Sequence, residues 1–342
     1  MSNNYDAVLV LSFGGPECRE DVLPFLENVL RGKNVPRERM LEVAEHYYHF
    51  GGVSPINAQN RELIAALKDV LDRQGPRLPV YWGNRNWAPF LTDTLRQMKS
   101  DGVKRAVVYV TSVFGSYSGC RQYREDIGRA IQEVGEGSIA VDKMRCPFNH
   151  PGFISAMADR VQTATRQLTI PASGKLRLVF TAHSVPIAMA RTSPYEAQLH
   201  EACRLVSETA GHSDWCLVYQ SRSGPPTQPW LEPDVCAYLR DVHSKGEVAG
   251  VVLVPIGFTS DHMEVIYDLD TEARQLCDSL GLPMVRAATV GTHPKFIEML
   301  RALIVERVEN GPRLTLGTMP AAADVCPPDC CAVVRGRPAA AS

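Results

Sequence analysis

The chain has no long apolar run, no excess of charge of either sign and no basic leader, and each absence removes a class of function. No stretch of the 342 residues approaches the roughly 20 apolar residues that a membrane helix needs, so no transmembrane segment is expected. With 36 Lys and Arg against 38 Asp and Glu, the formal net charge is -2. That balance carries no electrostatic footprint for nucleic acid or for a strongly anionic membrane. The start, Met1-Ser2-Asn3-Asn4-Tyr5-Asp6, enters a strand-like Ala7-Val8-Leu9-Val10 with no charged leader and no apolar region. It reads as a chain without a signal peptide, and a cytoplasmic protein is expected. The pairs Gly14-Gly15-Pro16 and Gly51-Gly52 match neither the dinucleotide fingerprint nor the Walker pattern,. Glycine's tolerance of unusual backbone angles and of a close ligand explains them without a nucleotide.

What is present points to an α/β protein. The length exceeds that of a single core, so two domains are expected,. Strand-like segments (Ala7 to Leu11, Pro79 to Trp82, Arg105 to Val110, Leu176 to Phe180, Cys216 to Tyr219, Gly250 to Pro255) alternate with helix-like ones. The latter run Val22 to Leu30, Asn57 to Arg73, Ala88 to Lys99, Tyr123 to Val134, Pro151 to Thr163, Pro194 to Thr209 and Asp268 to Leu280. Such alternation is the pattern of parallel sheets covered by helices. A boundary near His150-Pro151 divides the chain into halves 1–150 and 151–290, with a late helix in 291–315 and a cysteine-containing tail, 316–342. Both halves carry strands ending in polar or glycine-rich turns, yet no sequence repeat is demonstrable.

Two strand ends carry chemistry. After Val251-Val252-Leu253-Val254-Pro255 comes Ser260 to Glu272, in which Asp261, Glu264, Asp268 and Glu272 would form one carboxylate stripe on a helix, at i, i+3, i+7 and i+11,. Like charges so placed repel. The stripe is therefore either a solvated face or a site that wants a cation. Leu176 to Phe180 runs likewise into Thr181-Ala182-His183-Ser184-Val185-Pro186. Imidazole moves protons near neutral pH and ligates first-row divalent metals, although a lone histidine after a strand is as readily structural. Spacing alone does not place the two segments face to face.

These segments resemble those of a known family. Ala182-His183-Ser184-Val185-Pro186 and Asp261-His262-Met263-Glu264 are similar to the two signatures of the ferrochelatases, which insert ferrous iron into a porphyrin. Val10 to Pro16, Gly51 to Asn57, Gly83 to Trp87, Tyr117 to Arg124 and Tyr219 to Pro225 fit the same family in the same order. The resemblance covers nearly the whole chain. It implies two Rossmann-like, chelatase-type domains with parallel sheets and the porphyrin in a cleft between them, and a helix of about His293 to Val308 packed on the first half.

The resemblance also implies roles. Metal insertion requires that the porphyrin lose two protons, that iron shed its water and that nitrogen lone pairs meet the ion. His183 is the expected proton acceptor and iron contact, with Glu264 its carboxylate partner. Asp261, Asp268 and Glu272 would form a hydrated path for the cation, with His262 either a secondary candidate for the same chemistry or a residue that orients Glu264. Ser54 and Tyr123 match polar porphyrin contacts. Arg31 and Lys33 stand near where the family holds propionates, a role that basic side chains suit. Phe13 replaces a tyrosine of some relatives and offers only an apolar wall. Tyr117, Trp87 and Trp230 are candidates for stacking on the macrocycle.

Ten cysteines in a chain expected to be cytoplasmic argue for thiols or metal sites over disulfides,. Three of them crowd the tail, Cys326-Pro327-Pro328-Asp329-Cys330-Cys331. Many ferrochelatases hold a [2Fe-2S] cluster on three such cysteines and one upstream. Here Cys146 is the expected fourth ligand. A zinc site and idle tail thiols beside Pro338-Ala339-Ala340-Ala341-Ser342 fit the same pattern,.

Among ferrochelatases, Ser12 to Pro16 and Glu45 to Asn57 resemble the actinobacterial enzymes that make iron-coproporphyrin (coproheme) in haem biosynthesis. Coproporphyrin III is thus the expected substrate and ferrous iron the co-substrate, with an iron donor and a downstream haem-pathway enzyme as expected partners. Protoporphyrin IX, a cobalt or nickel tetrapyrrole chelatase and a non-catalytic haem-binding protein stay open as alternatives.

Overall fold

A computed structural model describes residues 4–33, 35–224 and 227–332. Met1–Asn3, Pro225 and Pro338–Ser342 lie outside the described residues.

Runs of Val, Leu and Ala make most of the strands, and helices on both faces bury them,. The first sheet contains β1 (Ala7–Ser12), β2 (Val80–Asn84), β3 (Arg105–Val110) and β4 (Ala140–Lys143), all parallel, in the order β2-β1-β3-β4. The second contains β5 (Leu176–His183), β6 (Trp215–Gln220), β7 (Gly250–Val254) and β8 (Met284–Arg286), in the order β6-β5-β7-β8. Each sheet therefore has its second strand outside its first and its third and fourth on the other side. The two halves repeat one topology that the sequences do not betray.

The helices are α1 (Val22–Leu30), α2 (Arg37–His49), α3 (Ile56–Gln74), α4 (Leu91–Ser100), α5 (Gln122–Val134) and α6 (Pro151–Gln167). They continue with α7 (Ile187–Ala190), α8 (Tyr195–Ala210), α9 (Val235–Ser244), α10 (Met263–Tyr267), α11 (Arg274–Leu280) and α12 (Pro294–Val308). The short edge strands β4 and β8 and the helices α2 and α9 are additions to the sequence-based expectation. The predicted helix from Asp268 to Leu280 is instead a π turn over Asp268–Ala273 followed by α11.

One buried core runs through both halves, uniting Val8, Val10 and Tyr109 of the first sheet with Leu178, Phe180 and Val252 of the second through Phe153 of α6 and Phe296 of α12. The late helix α12 packs on α3 and β3 and also on α6, so it binds the halves together. Behind it, Arg145 donates from Nε to both carboxylate oxygens of Glu306 at 2.9 and 3.0 Å and from Nη2 to the Leu314 carbonyl at 2.9 Å. This pair pins the start of the tail.

The loops after β1 and α2 line the space between the halves, and two glycines there are obligatory. Gly52 has φ +82°, and a Cβ on it would lie 2.4 Å from Cα of Arg19. Gly14 has the same φ and would meet Cβ of Asn84 at 2.9 Å. Left-handed backbone and close packing account for both without a phosphate.

Candidate active site

Between the sheets opens a cleft of about 1390 Å³, at the carboxyl ends of the strands where open α/β sheets place ligands. His183, the last residue of β5, reaches its wall, and in the next strand its register partner is Gln220, the last residue of β6. After β7 the chain turns through Pro255–Asp261 into α10, whose N-cap is His262: its Nδ1 accepts from the Glu264 backbone N–H at 3.2 Å. His262 thereby fixes the first turn that carries Glu264. Burial holds its pKa below the usual histidine value, which suits an acceptor nitrogen.

The two signature segments do face each other. Nε2 of His183 lies 3.4 Å from Oε1 of Glu264, and the side chains keep 33% and 45% of their surface in the cleft. Burial opposes charge on His183, but Glu264 outweighs it, and with the Ser184 carbonyl and Asp268 lifts the imidazole to about 9. Burial likewise disfavours the Glu264 carboxylate, and His183 overrides it, holding that pKa down to about 2. The resting pair at neutral pH is an imidazolium and a carboxylate. It must release its proton before the imidazole can accept one or touch a metal.

The carboxylate stripe is only partly what its spacing predicted. Glu264, Asp268 and Glu272, at i, i+4 and i+8, all line the cleft, because the π turn widens the helix and keeps these positions on one side,. Burial, together with Glu264 and Glu272, raises Asp268 to about 7 despite hydrogen bonds from Ser221 and Gln220. Asp261 does not join them. It precedes the helix, its N–H donates to Gln59 at 2.9 Å, and Oδ1 accepts from Arg286 at 2.9 Å, which also clasps Asp270. A guanidinium 25 residues downstream has taken the charge that the stripe would have offered to iron.

Of the porphyrin contacts expected from the resemblance, Phe13, Ser54, Tyr123, Tyr117 and Trp230 line the cleft. Arg85 lies over the Tyr123 ring at 4.5 Å and pairs with Asp126. Arg31 caps the end of α1, bonds to Asn28 and is exposed away from the cleft wall, whereas Lys33 lines it. Trp87 packs edge-on against Phe25, outside the lining. At the rim, His46 of α2 stacks on Tyr267 of α10 with centroids 3.7 Å apart, so the two halves touch across the opening. Tyr47, Gln220 and Ser221 are wall residues that sequence reasoning missed, although Gln220 closes β6 and Ser221 follows it within a segment already singled out.

A second cavity, of about 230 Å³, is lined by Cys326, Cys330 and Cys331 of the tail and by Cys120. The tail is held there: the Cys331 N–H donates to the Thr192 carbonyl at 3.1 Å, and Arg121 and Arg124 donate to the carbonyls of Cys330 and Cys326. Sulfurs of Cys330 and Cys331 are 3.6 Å apart. Cys146, expected as the fourth thiol, does not line this cavity, whereas Cys120 does. Cys146 is buried outside the cavity lining and hydrogen-bonds Cys120, whose pKa falls through contacts with Cys146 and Cys326. Among the described residues, no three His, Cys, Asp or Glu side chains are arranged to grip a single metal ion. None of the helices among the described residues is long and apolar enough to cross a membrane.

The ferrochelatase family model matches residues 5–308. The chain is 58% identical over 336 residues to a protein named ferrochelatase from Rhodopirellula baltica, with 98% of this chain and 95% of that one covered. It is 48% identical over 360 positions to a coproporphyrin III ferrochelatase from Streptomyces coelicolor, covering 98% of this chain and 96% of the relative. Among solved structures, the cobalt complex of the sirohydrochlorin chelatase SirB from Bacillus subtilis subspecies spizizenii superposes with a TM-score of 0.53 over 90% of this chain and 97% of that one. At 13% identity that likeness concerns the fold alone.

Proposed function

The chain belongs to the ferrochelatase family, and from that premise we propose that it inserts ferrous iron into coproporphyrin III to give iron-coproporphyrin III. The observation that carries the reading is the His183–Glu264 pair on the wall of a cleft that also bears Glu272 and Asp268 as an approach. Iron arriving past Glu272 and Asp268 exchanges water for carboxylate oxygen, and its double positive charge expels the proton shared by His183 and Glu264. The freed imidazole then takes one pyrrole proton, the second leaves, like the proton expelled from the pair, through cleft water, and Glu264 keeps the anionic charge that steadies the ion. Fewer than three fixed protein donors suit an ion that must leave for the macrocycle. Phe13 contributes an apolar wall and no axial ligand.

Cations support the four-propionate substrate. Lys33, Arg39, Arg85, Arg222 and Arg240 all line the cleft. Burial and the charge of Arg85 lower the pKa of Lys33, a strain that a bound carboxylate would relieve. The name of the Streptomyces coelicolor relative points the same way. The ten free cysteines suit a reducing compartment, and we place the enzyme in the cytoplasm,.

We further assign a [2Fe-2S] cluster to Cys120, Cys326, Cys330 and Cys331. What supports it is that four thiols border one cavity, with Lys143, Arg121 and Arg124 beside them to balance the negative charge of a thiolate-bound cluster. Buried Lys143 is held charged against desolvation by Cys146, Cys120 and Cys326. When bound, the cluster supplies a one-electron centre outside the insertion site.

The test is anaerobic turnover of coproporphyrin III with ferrous iron, followed by the porphyrin absorption bands, beside His183→Ala. Many turnovers by the natural chain and none by the variant are expected. Stoichiometric binding without turnover would make it a carrier and refute the reading.

A further inference from the structure

Gln220 and Ser221 contact the proposed iron path in a manner that core packing does not require. Gln220 is 1% exposed. Its Nε2 donates to the Glu264 carbonyl at 2.9 Å and to Oδ2 of Asp268 at 3.2 Å. The Glu264 carbonyl is a pure acceptor, which fixes the orientation of the amide,. The Glu264 carbonyl also accepts from the Asp268 N–H, so Gln220 is bonded at the point where α10 passes into the π turn. Ser221 donates from Oγ to the same Oδ2 of Asp268. To do so it sits at φ +60°, in the left-handed region that a non-glycine residue seldom occupies,. Backbone held in such a conformation clusters at functional sites.

Both donors converge on Oδ2, and neither uses Oδ1. Donation to an ionised carboxylate also favours the charged form, which is the form that attracts a cation. The amide oxygen of Gln220 lies buried with no hydrogen-bond partner among the described residues, in a side chain that lines the cleft. A water from the ion's hydration shell is a donor of the kind it lacks.

We propose that Gln220 and Ser221 are positioning residues for iron delivery: they hold Oδ2 of Asp268 so that Oδ1 receives the hydrated ferrous ion and passes it to Glu264 and His183. The inference rests on the iron-insertion reading above. It adds the residues that set affinity for the metal independently of affinity for the porphyrin.

The experiment uses the full chain and measures KM for ferrous iron and for coproporphyrin III separately, with kcat. Ser221→Gly relaxes the backbone and removes the hydroxymethyl group; Gln220→Met keeps the length and removes the amide. Each is expected to raise KM for iron by about tenfold, the worth of one hydrogen bond to a charged group. KM for porphyrin and kcat should stay within about twofold, since the lost contact acts on the metal path alone. Ser221→Asn, which tolerates the left-handed region and restores a side-chain donor, should recover the iron KM. An unchanged iron KM in both variants would overturn the proposal. So would a parallel loss in every parameter with a lowered melting temperature, the mark of a merely structural role. A natural chain that turned over no porphyrin would instead refute the underlying function.

Discussion

Replacing Glu264 by Gln isolates the electrostatics of the central pair. In the natural chain His183 is lifted to about 9, so at pH 7 about one imidazole in a hundred is neutral. The carboxylate stabilises the imidazolium. Without it, burial acts with less opposition, and His183 should titrate near or below the ordinary value of about 6.5. The midpoint thus falls by about two units or more, and imidazole is predominantly neutral at pH 7.5. Because the side chains keep 33% and 45% of their surface in cleft water, the shift is read as a titration and not converted into stability,. The acidic limb of kcat/KM should move to lower pH in the same direction. The rate itself should fall by about a hundredfold or more, since the variant loses a proton and metal partner. Ring-nitrogen NMR of His183 against pH in the apo chain reads the midpoint directly. The same midpoint in both proteins would refute the reasoning.

Three other perturbations follow from the geometry. His183→Ala removes the imidazolium that holds Glu264 down at about 2; burial then raises that carboxylate, and a carbonyl-stretch titration should show its midpoint moving up, with the fold retained and insertion abolished. Cys120→Ser should prevent assembly of the thiolate cluster, while Cys146→Ser should leave iron and sulfide content unchanged; the reverse pattern would restore Cys146 as the fourth ligand. Glu306→Leu strands Arg145, whose side chain is 0% exposed, and should cost about 3–5 kcal/mol in denaturant unfolding. A loss below about 1 kcal/mol would mean that the Leu314 carbonyl alone suffices for that guanidinium.

Much of the architecture was legible because buried parallel strands leave a plain trace. β1, β3, β5, β6 and β7 are nearly continuous apolar runs with polar or glycine-containing ends. β4 contains Asp142 and Lys143, and β8 has three residues; both are edge strands without a two-faced hydrophobic demand. Helix α2 was obscure because Met40 and Ala44 alone in it are buried. The repeated strand order was hidden since topology can recur without any shared side chains.

At the site, a strand ending in His183 and a stripe led by Glu264 announced polar chemistry, and the resemblance paired them. Linear spacing assumes a regular helix, so it included Asp261, which precedes the helix and binds Arg286, and could not foresee the π turn that gathers Asp268 and Glu272. The same limit applies to sulfur. Cys146 stands nearer the tail than Cys120 in chain terms, yet tertiary packing brings Cys120 to the cavity. Gln220 and Ser221 gave no compositional signal, because a hydroxyl in a left-handed turn is a matter of conformation.

The most direct test of the account compares kcat/KM for coproporphyrin III and protoporphyrin IX under anaerobic conditions with saturating ferrous iron. Lys33 and Arg240 on the cleft wall, beside Arg39, Arg85 and Arg222, which pair with Glu42, Asp126 and Glu232, predict a preference for the four-propionate porphyrin. Equal rates, or a preference for protoporphyrin IX, would contradict the substrate assignment while leaving the family in place.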